Sequence, residues 1–506
     1  MNNRAVVIGA GLGGLAAAMR LGTRGYRVTV LDRLDRAGGR GSSITQEGHR
    51  FDLGPTIVTV PQVFEDLWAA CGRDFRKDVD LRPLEPFYEI RWPDGSRFNA
   101  WSDDDRMRDE VNALSPGDLA GYERFLRDAA KRYAVGFEGM VAKPMHRLAD
   151  TIKALPDFVR LRADRSIYSH VATRIKDERL RMALSFHPLF IGGNPARVTS
   201  IYALVAHLEK QYGVHYANGG VQSIADAMVR VIRAQGGLIR QGAQVDEIVI
   251  RDGAAQGVRL TGGETVASPL VISNADAGHT YAHLLRNHPR KRWTTPKLDR
   301  KRWSMGLYVW YFGTKGTAGK WADVGHHTIL SGPRFKGLLR DIFLNGTLSE
   351  DMSLYLHRPS VTDPGVAPAG DDTFYALSPV PHLGWKHAVD WQSEEPIYRE
   401  KVAKVLEGIM PGFRRHITTE LVFTPETFRD RYLSPHGCGF SLEPHILQSA
   451  WFRPHNVSEE AKGLYLVGAG THPGAGLPGV VSSAEVLDKL VPDAPRAPHA
   501  LRVAAE

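Results

Sequence analysis

Four glycines and one carboxylate near the N-terminus have the residue types and the spacing to hold a dinucleotide. The stretch VVIGAGLGG sets Gly9, Gly11, Gly13 and Gly14 after an apolar run, and Asp32 closes the next apolar run. Gly9 permits a tight turn from strand to helix, Gly11 lets the backbone approach a pyrophosphate, and Gly14 lets the helix pack closely on the strand. The helix start then offers unpaired amides to the phosphates. Asp32 can accept hydrogen bonds from ribose hydroxyls, and its charge would repel a 2′-phosphate, so NADP is disfavoured. A second glycine-rich stretch, LYLVGAGTHPGAGLPGVVSSAE at 464–485, contains Gly468 and Gly479 and reads as the other wall of the same site.

Those residues need a strand, turn, helix and second strand over 6–33 to position them. Reading Ala5 to Met19 as a signal peptide or membrane anchor fails, because the stretch is short and glycine-rich and Arg20 ends it. Two further glycine loops follow, Ala37 to Arg40 and Phe51 to Thr56; Gly39 can add an amide and Arg40 a guanidinium beside the phosphates. From about 100 to 190 charged and helix-favouring residues dominate, with apolar residues three and four apart at Tyr122, Phe125, Leu126, Ala129 and Tyr133, which predicts a helical insertion. A second α/β stretch starts near Tyr216, with an amphipathic helix from Ser223 to Ala234, two strands around Asp252-Gly253 and another strand in LVISNAD. Aromatic runs at 307–312 and 352–357 are expected as sheet core rather than ligand wall. The return of glycine at 464–485 makes the cofactor domain discontinuous in sequence.

At 506 residues and 43% hydrophobic content, the chain has room for about two or three domains. Lys and Arg exceed Asp and Glu by 64 − 56 = 8, which favours anionic partners. A membrane surface of anionic lipid fits better than nucleic acid, because the basic residues are scattered and no nucleic-acid-binding signature occurs. Cys71 and Cys438 alone exclude a disulfide framework and any four-thiolate metal centre, and point to a reducing, cytoplasmic setting. The histidines are dispersed, and the adjacent pair His326-His327 lacks helical ligand spacing, so no metal is expected. No uncharged apolar stretch reaches the ~18 residues of a spanning helix, so any membrane contact is expected to be peripheral.

Together with VIGAGLGGLA, GGR and DLGPT, the stretches SFHPLFIGGNP at 185–195, SAWFRPHN at 449–456 and LYLVGAGTHPGAGLPGV resemble the bacterial phytoene desaturases of carotenoid biosynthesis. The resemblance runs from Val6 to about Leu490. The first three motifs occur throughout the amine oxidase and GDI-like flavoprotein superfamily; the last three are more specific. The resemblance implies an α/β fold in which 1–85, 215–290 and 435–492 form a discontinuous Rossmann-like FAD-binding domain. A mixed-sheet substrate domain would comprise 86–214 and 291–434, with 100–190 as a membrane-associating helical insertion, and 493–506 would be a flexible tail.

The resemblance also implies FAD as a non-covalent prosthetic group, with Arg33, Gly54, Pro55 and Thr56 joining the glycine motifs as cofactor-binding residues. Val245 resembles the strand residue whose backbone meets the adenine. Val480 would stand at a helix start, where amide and helix dipole favour negative charge on the reduced ring. The superfamily usually places a carboxylate after its C-terminal glycine, whereas here Ala469 follows Gly468, so the ribitol contact must come from elsewhere.

The implied reaction introduces successive C=C bonds into phytoene, to neurosporene or lycopene, with a hydride passing to flavin N5 and a proton to a base. One strict glycine fingerprint leaves no evident nicotinamide domain, and a quinone or oxygen is the implied electron acceptor. Asp150 matches an acidic family position proposed to take part in the chemistry, with Arg147 one helical turn before it; spacing alone reads them as an exposed surface pair. Each buried methylene is worth ~0.8 kcal/mol, so a C40 hydrocarbon will not leave the bilayer for water. The cationic helical insertion is therefore the expected docking face, on the inner or photosynthetic membrane. An amine oxidase would show an aromatic cage at the flavin, and a GDI-type prenyl-binding chaperone a degraded cofactor site. A hydroxy- or methoxycarotenoid desaturase would share the fold, FAD and the outer glycine motifs.

Overall fold

In a computed structural model, which describes residues 3–494, the N-terminal apolar run becomes the strand Arg4–Ile8 at the middle of a five-stranded sheet. The order is Leu464–Leu466, Leu270–Ser273, Arg4–Ile8, Arg27–Leu31, Leu238–Arg240, and every pairing is parallel. Strands of such a sheet are apolar on both faces because both faces are covered. Ala5 and Val7 pack towards the helices Leu12–Thr23, Val221–Ala234 and Leu477–Asp488, whereas Val6 and Ile8 pack towards Ile248, Val258 and Tyr281. The small residues Ala16, Ala17 and Ala18 are fully buried, which lets the first helix lie against its neighbours.

The covering layer on the second face includes a three-stranded antiparallel sheet, Val245–Arg251, Ala254–Leu260 and Thr265–Ala267. Its first turn has Asp252 at φ 49° and Gly253 at φ 72°, the left-handed pair that a tight hairpin requires.

A seven-stranded mixed sheet forms the second body, in the order Ile417–Phe423, Gly306–Thr314, Asp372–Val380, Leu354–His357, His327–Leu330, Tyr88–Arg91, Arg97–Ala100. Only the pairing of Tyr88–Arg91 with His327–Leu330 is parallel. Strand alternation divides the central aromatic run. Tyr308, Trp310 and Phe312 pack against Trp391, Tyr398 and Val402 of the helix Trp391–Glu407, as expected of sheet core. Leu307, Val309 and Tyr311 point the other way and line a cavity, so the run is core on one face and cavity wall on the other.

The insertion contains the helices Asp104–Leu114, Leu119–Tyr133, Leu148–Arg160, Ile167–Ala172 and Glu178–Ser185. Leu119–Tyr133 buries Tyr122, Phe125, Ala129 and Tyr133, as their spacing predicts. Leu148–Arg160 differs, since none of its residues is buried. Leu148, Ile152, Leu155 and Val159 form one exposed stripe along it, with Ile152 57%, Leu155 57% and Val159 65% exposed. Among the described residues no helix is long and apolar enough to cross a membrane. At the C-terminus Asp493 pairs with Arg24 at 2.7 Å, and residues 495–506 of the expected tail lie outside the described residues.

Candidate functional site

The glycine turns meet at one end of a cavity of about 860 Å³. Gly11 precedes the first helix as its N-cap, and Gly38 donates its amide to the Ala10 carbonyl at 2.8 Å. A Cβ on Gly39 would lie 3.1 Å from the Gly11 Cα, so the second glycine turn sits directly on the first. Gly14 faces away from the cavity: a Cβ there would be 2.1 Å from the Gly9 carbonyl oxygen, which is why the helix can approach its strand. Cβ atoms on Gly13 and Gly468 would each fall 2.6 Å from Asn274 Oδ1, so Asn274 is the hub around which both glycine walls close.

Asp32 is buried at the end of its strand and accepts from the Ala10 amide at 2.5 Å and the Leu34 amide at 2.8 Å. Burial pushes its carboxyl above the usual range, and those amides and Arg33 oppose the rise. Arg33 donates to the Asp430 and Arg431 carbonyls, tying the 425–432 helix to the cavity rim. Arg40 donates to Ser434 Oγ, and a Cβ on Gly54 would meet the Arg40 carbonyl oxygen at 2.2 Å. Pro55 and Thr56 continue the wall, with Thr56 Oγ1 2.9 Å from the Tyr355 hydroxyl and 3.2 Å from that of Tyr375. Val245 lines the same end at the start of its strand.

The C-terminal glycine run places Gly468 and Gly479 on the opposite wall, Gly468 ahead of the helix Leu477–Asp488 and Gly479 in its first turn. The free helix-start amides are not where the sequence reading put them. The Val480 amide already donates to the Gly476 carbonyl at 2.9 Å, and Pro478 has none, leaving those of Leu477 and Gly479. The Val480 side chain instead packs towards Gly13, joining the two helix starts. Close-approach glycines, two helix starts and a buried carboxylate form a donor and acceptor set that fits a flavin dinucleotide.

Away from the glycines the cavity turns apolar. Phe186, Phe190 and Phe452, from two of the specific stretches, join Leu307, Val309 and Leu377. Its far wall includes Leu155 and Phe158 of the exposed helix together with Ile446 and Leu447, of which Leu447 is 62% exposed. Among the described lining residues one carboxylate stands in this section: Glu209, buried on the helix Leu204–Tyr212, accepts from the Tyr88 hydroxyl at 3.1 Å and lies 3.2 Å from His187 Nε2.

Of the residues expected from sequence, Gly9, Gly11, Gly13, Asp32, Arg33, Gly39, Arg40, Gly54, Pro55, Thr56, Val245, Gly468, Gly479 and Val480 line this one cavity. Arg147 and Asp150 do not. Arg147 is the exposed N-cap of its helix, Asp150 is half-buried in the first turn, and no ion pair joins them; their neighbours Thr151 and Ala154 face the cavity instead. Sequence reading missed Asn274, Asp276 and Glu209. The first two follow the strand end in LVISNAD, and the C-terminal ends of parallel strands are where ligands of such sheets bind, so that signal was available. Asp276 lines the cavity with Oδ2 unpartnered; burial pushes its carboxyl up, and Arg40 opposes this. Glu209 carried no comparable signal. The histidines are less dispersed in space than in sequence, because His357 on the neighbouring strand joins His326 and His327 in one buried cluster.

A parallel sheet with two glycine-bearing helix starts at one end of a long apolar cavity defines a dinucleotide-binding oxidoreductase. Residues 12–485 match the family model for flavin containing amine oxidoreductase. The chain is 66% identical over 508 aligned positions to the phytoene desaturase (neurosporene-forming) of Cereibacter sphaeroides, covering 100% of the chain and 98% of that relative. It is 43% identical over 482 positions to the phytoene desaturase (lycopene-forming) of a Paracoccus species, covering 95% of each. Among solved structures, an oxidoreductase from Methanosarcina mazei shares the fold with a TM-score of 0.67 at 19% identity, covering 96% of this chain and 100% of that one. The chain belongs to the flavin-containing amine oxidoreductase family and, within it, to the bacterial phytoene desaturases.

Proposed function

We propose that this protein is an FAD-dependent phytoene desaturase that introduces successive C=C bonds into the C40 hydrocarbon and stops at neurosporene. The observation that carries this reading is the continuity of the cavity: glycine walls fit for a flavin dinucleotide open without a break onto an apolar section reaching Leu155 and Leu447. The neurosporene assignment rests on the 66% identical relative, against 43% for a lycopene-forming one. FAD held there would supply the two-electron acceptor for the hydride, and a quinone or oxygen would be the final acceptor.

Each group of residues then has a part. The two glycine walls, drawn from the three separate stretches 1–85, 215–290 and 435–492, would hold the cofactor, with Asp32 to accept from the ribose and the Val245 backbone to meet the adenine. The Leu477 and Gly479 amides would stabilise negative charge on the ring. Asp276 takes the place of the carboxylate absent at Ala469. The apolar section excludes water and aligns the polyene. Each step also releases a proton, and the carboxylates among the described lining residues are Asp32, Asp276 and Glu209. The first two stand among the cofactor groups, so we assign the proton acceptor to Glu209, with His187 and Tyr88 holding it.

The exposed stripe Leu148, Ile152, Leu155 and Val159, beside Leu447, would enter the interface of an anionic bilayer and receive the hydrocarbon at the mouth of the cavity. Incubated with phytoene in anionic liposomes and a quinone, the flavin-loaded protein is expected to yield neurosporene on chromatography. Unchanged phytoene would overturn the reading. The triple variant Ile152→Asp, Leu155→Asp, Val159→Asp is expected to keep its flavin but float with liposomes more than about tenfold less, since each buried aliphatic side chain is worth ~1.5–3 kcal/mol. Undiminished flotation would remove the docking assignment.

A further inference from the structure

The antiparallel strands His327–Leu330 and Leu354–His357 place His327 directly opposite His357, and His326 stands just before the first of them. All three side chains are buried, His326 at 8%, His327 at 2% and His357 at 1% exposure. One ring nitrogen from each lies within 4.8 Å of the other two. Nε2 of His326 and Nε2 of His357 are 3.1 Å apart. The outer nitrogens are pinned: Nδ1 of His326 lies 2.6 Å from Thr362 Oγ1, and Nδ1 of His327 lies 2.6 Å from the Tyr355 hydroxyl. Nε2 of His327 is buried without a hydrogen-bond partner.

As an apolar-core arrangement this is incomplete. Between His326 and His357 one Nε2 must donate and the other accept, which leaves His327 Nε2 with nothing, and an unsatisfied buried polar atom costs about 1–3 kcal/mol. A cation resolves both points. The Nδ1 contacts to Thr362 and Tyr355 are of the kind that orient metal-binding histidines. The 3.1 Å separation suits two ligands at the ~2.0–2.1 Å bond lengths of a tetrahedral centre.

We propose that His326, His327 and His357 bind one divalent transition-metal cation of the zinc class through their Nε2 atoms. The ion would staple the two strands next to Tyr355 and Tyr375, which line the cavity. To test this, the flavin-loaded protein is stripped with chelator, equilibrated with Zn2+, gel-filtered and assayed by mass spectrometry. About one zinc per chain is expected, as for a three-histidine site. His327→Ala and His357→Ala should each lose it, while His288→Ala, whose Nε2 meets the Glu460 carbonyl, should retain it. Native protein holding below about a tenth of an equivalent, or both cluster variants holding as much as native, overturns the proposal. If the variants do not fold, Tm of the native protein decides: it should rise with zinc and fall with chelator, and an unchanged Tm contradicts the site.

Discussion

Gly14→Ala is expected to emerge with less than about a tenth of the native flavin content, because overpacking here meets backbone rather than a yielding side chain. The added Cβ would stand 2.1 Å from the Gly9 carbonyl oxygen, 3.1 Å from Asn274 Cβ and 3.2 Å from Val7 Cγ1. Relief requires the start of the helix Leu12–Thr23 to move off the strand Arg4–Ile8. That movement carries the Gly11 to Gly13 backbone away from the opposite wall, where Gly468 and Val480 approach Gly13. Gly117→Ala, with nothing within 4 Å of the new Cβ, should bind flavin normally. Flavin released by acid and quantified per chain measures both. Native content in Gly14→Ala would show that the close helix–strand contact does not shape the site.

Glu209→Gln should lower kcat by about 10²–10⁴ with flavin content and KM little changed, the range for loss of a general base. Glutamine keeps the shape beside Tyr88 and His187 but cannot take a proton from the hydrocarbon. Asp150→Asn, on a side chain outside the cavity wall, is expected to alter kcat by less than about threefold, in keeping with a surface substitution. The comparison is decided by initial rates on liposomal phytoene. The opposite ranking would return the proton-accepting role to Asp150.

These two carboxylates show where sequence was legible and where it was not. Gly9 to Asp32 could be located because each residue answers a backbone demand over a short span, and the Asp252-Gly253 hairpin was legible for the same reason. The C-terminal wall was visible as a composition, yet the free amides fell to Leu477 and Gly479 because helix phase, set by the Gly476 cap, decides which N–H remains unpaired. Glu209 resembles any acidic residue on an amphipathic helix until the fold brings it beside Tyr88, which lies 121 residues away. The histidine cluster escaped because its imidazoles converge across paired strands, whereas ligand spacing is sought along a single element. Leu307 to Phe312 read as core since alternation predicts two faces but not what each face meets.

The claim that most depends on this geometry is that electrons pass from a hydrocarbon in the apolar section to a flavin held between the glycine walls. Anaerobic mixing of the purified holoprotein with phytoene in anionic liposomes, followed by visible absorbance, tests it directly. The oxidised-flavin band should bleach with phytoene and persist with empty liposomes, returning when quinone is admitted. A flavin-loaded protein whose band is indifferent to phytoene would contradict it.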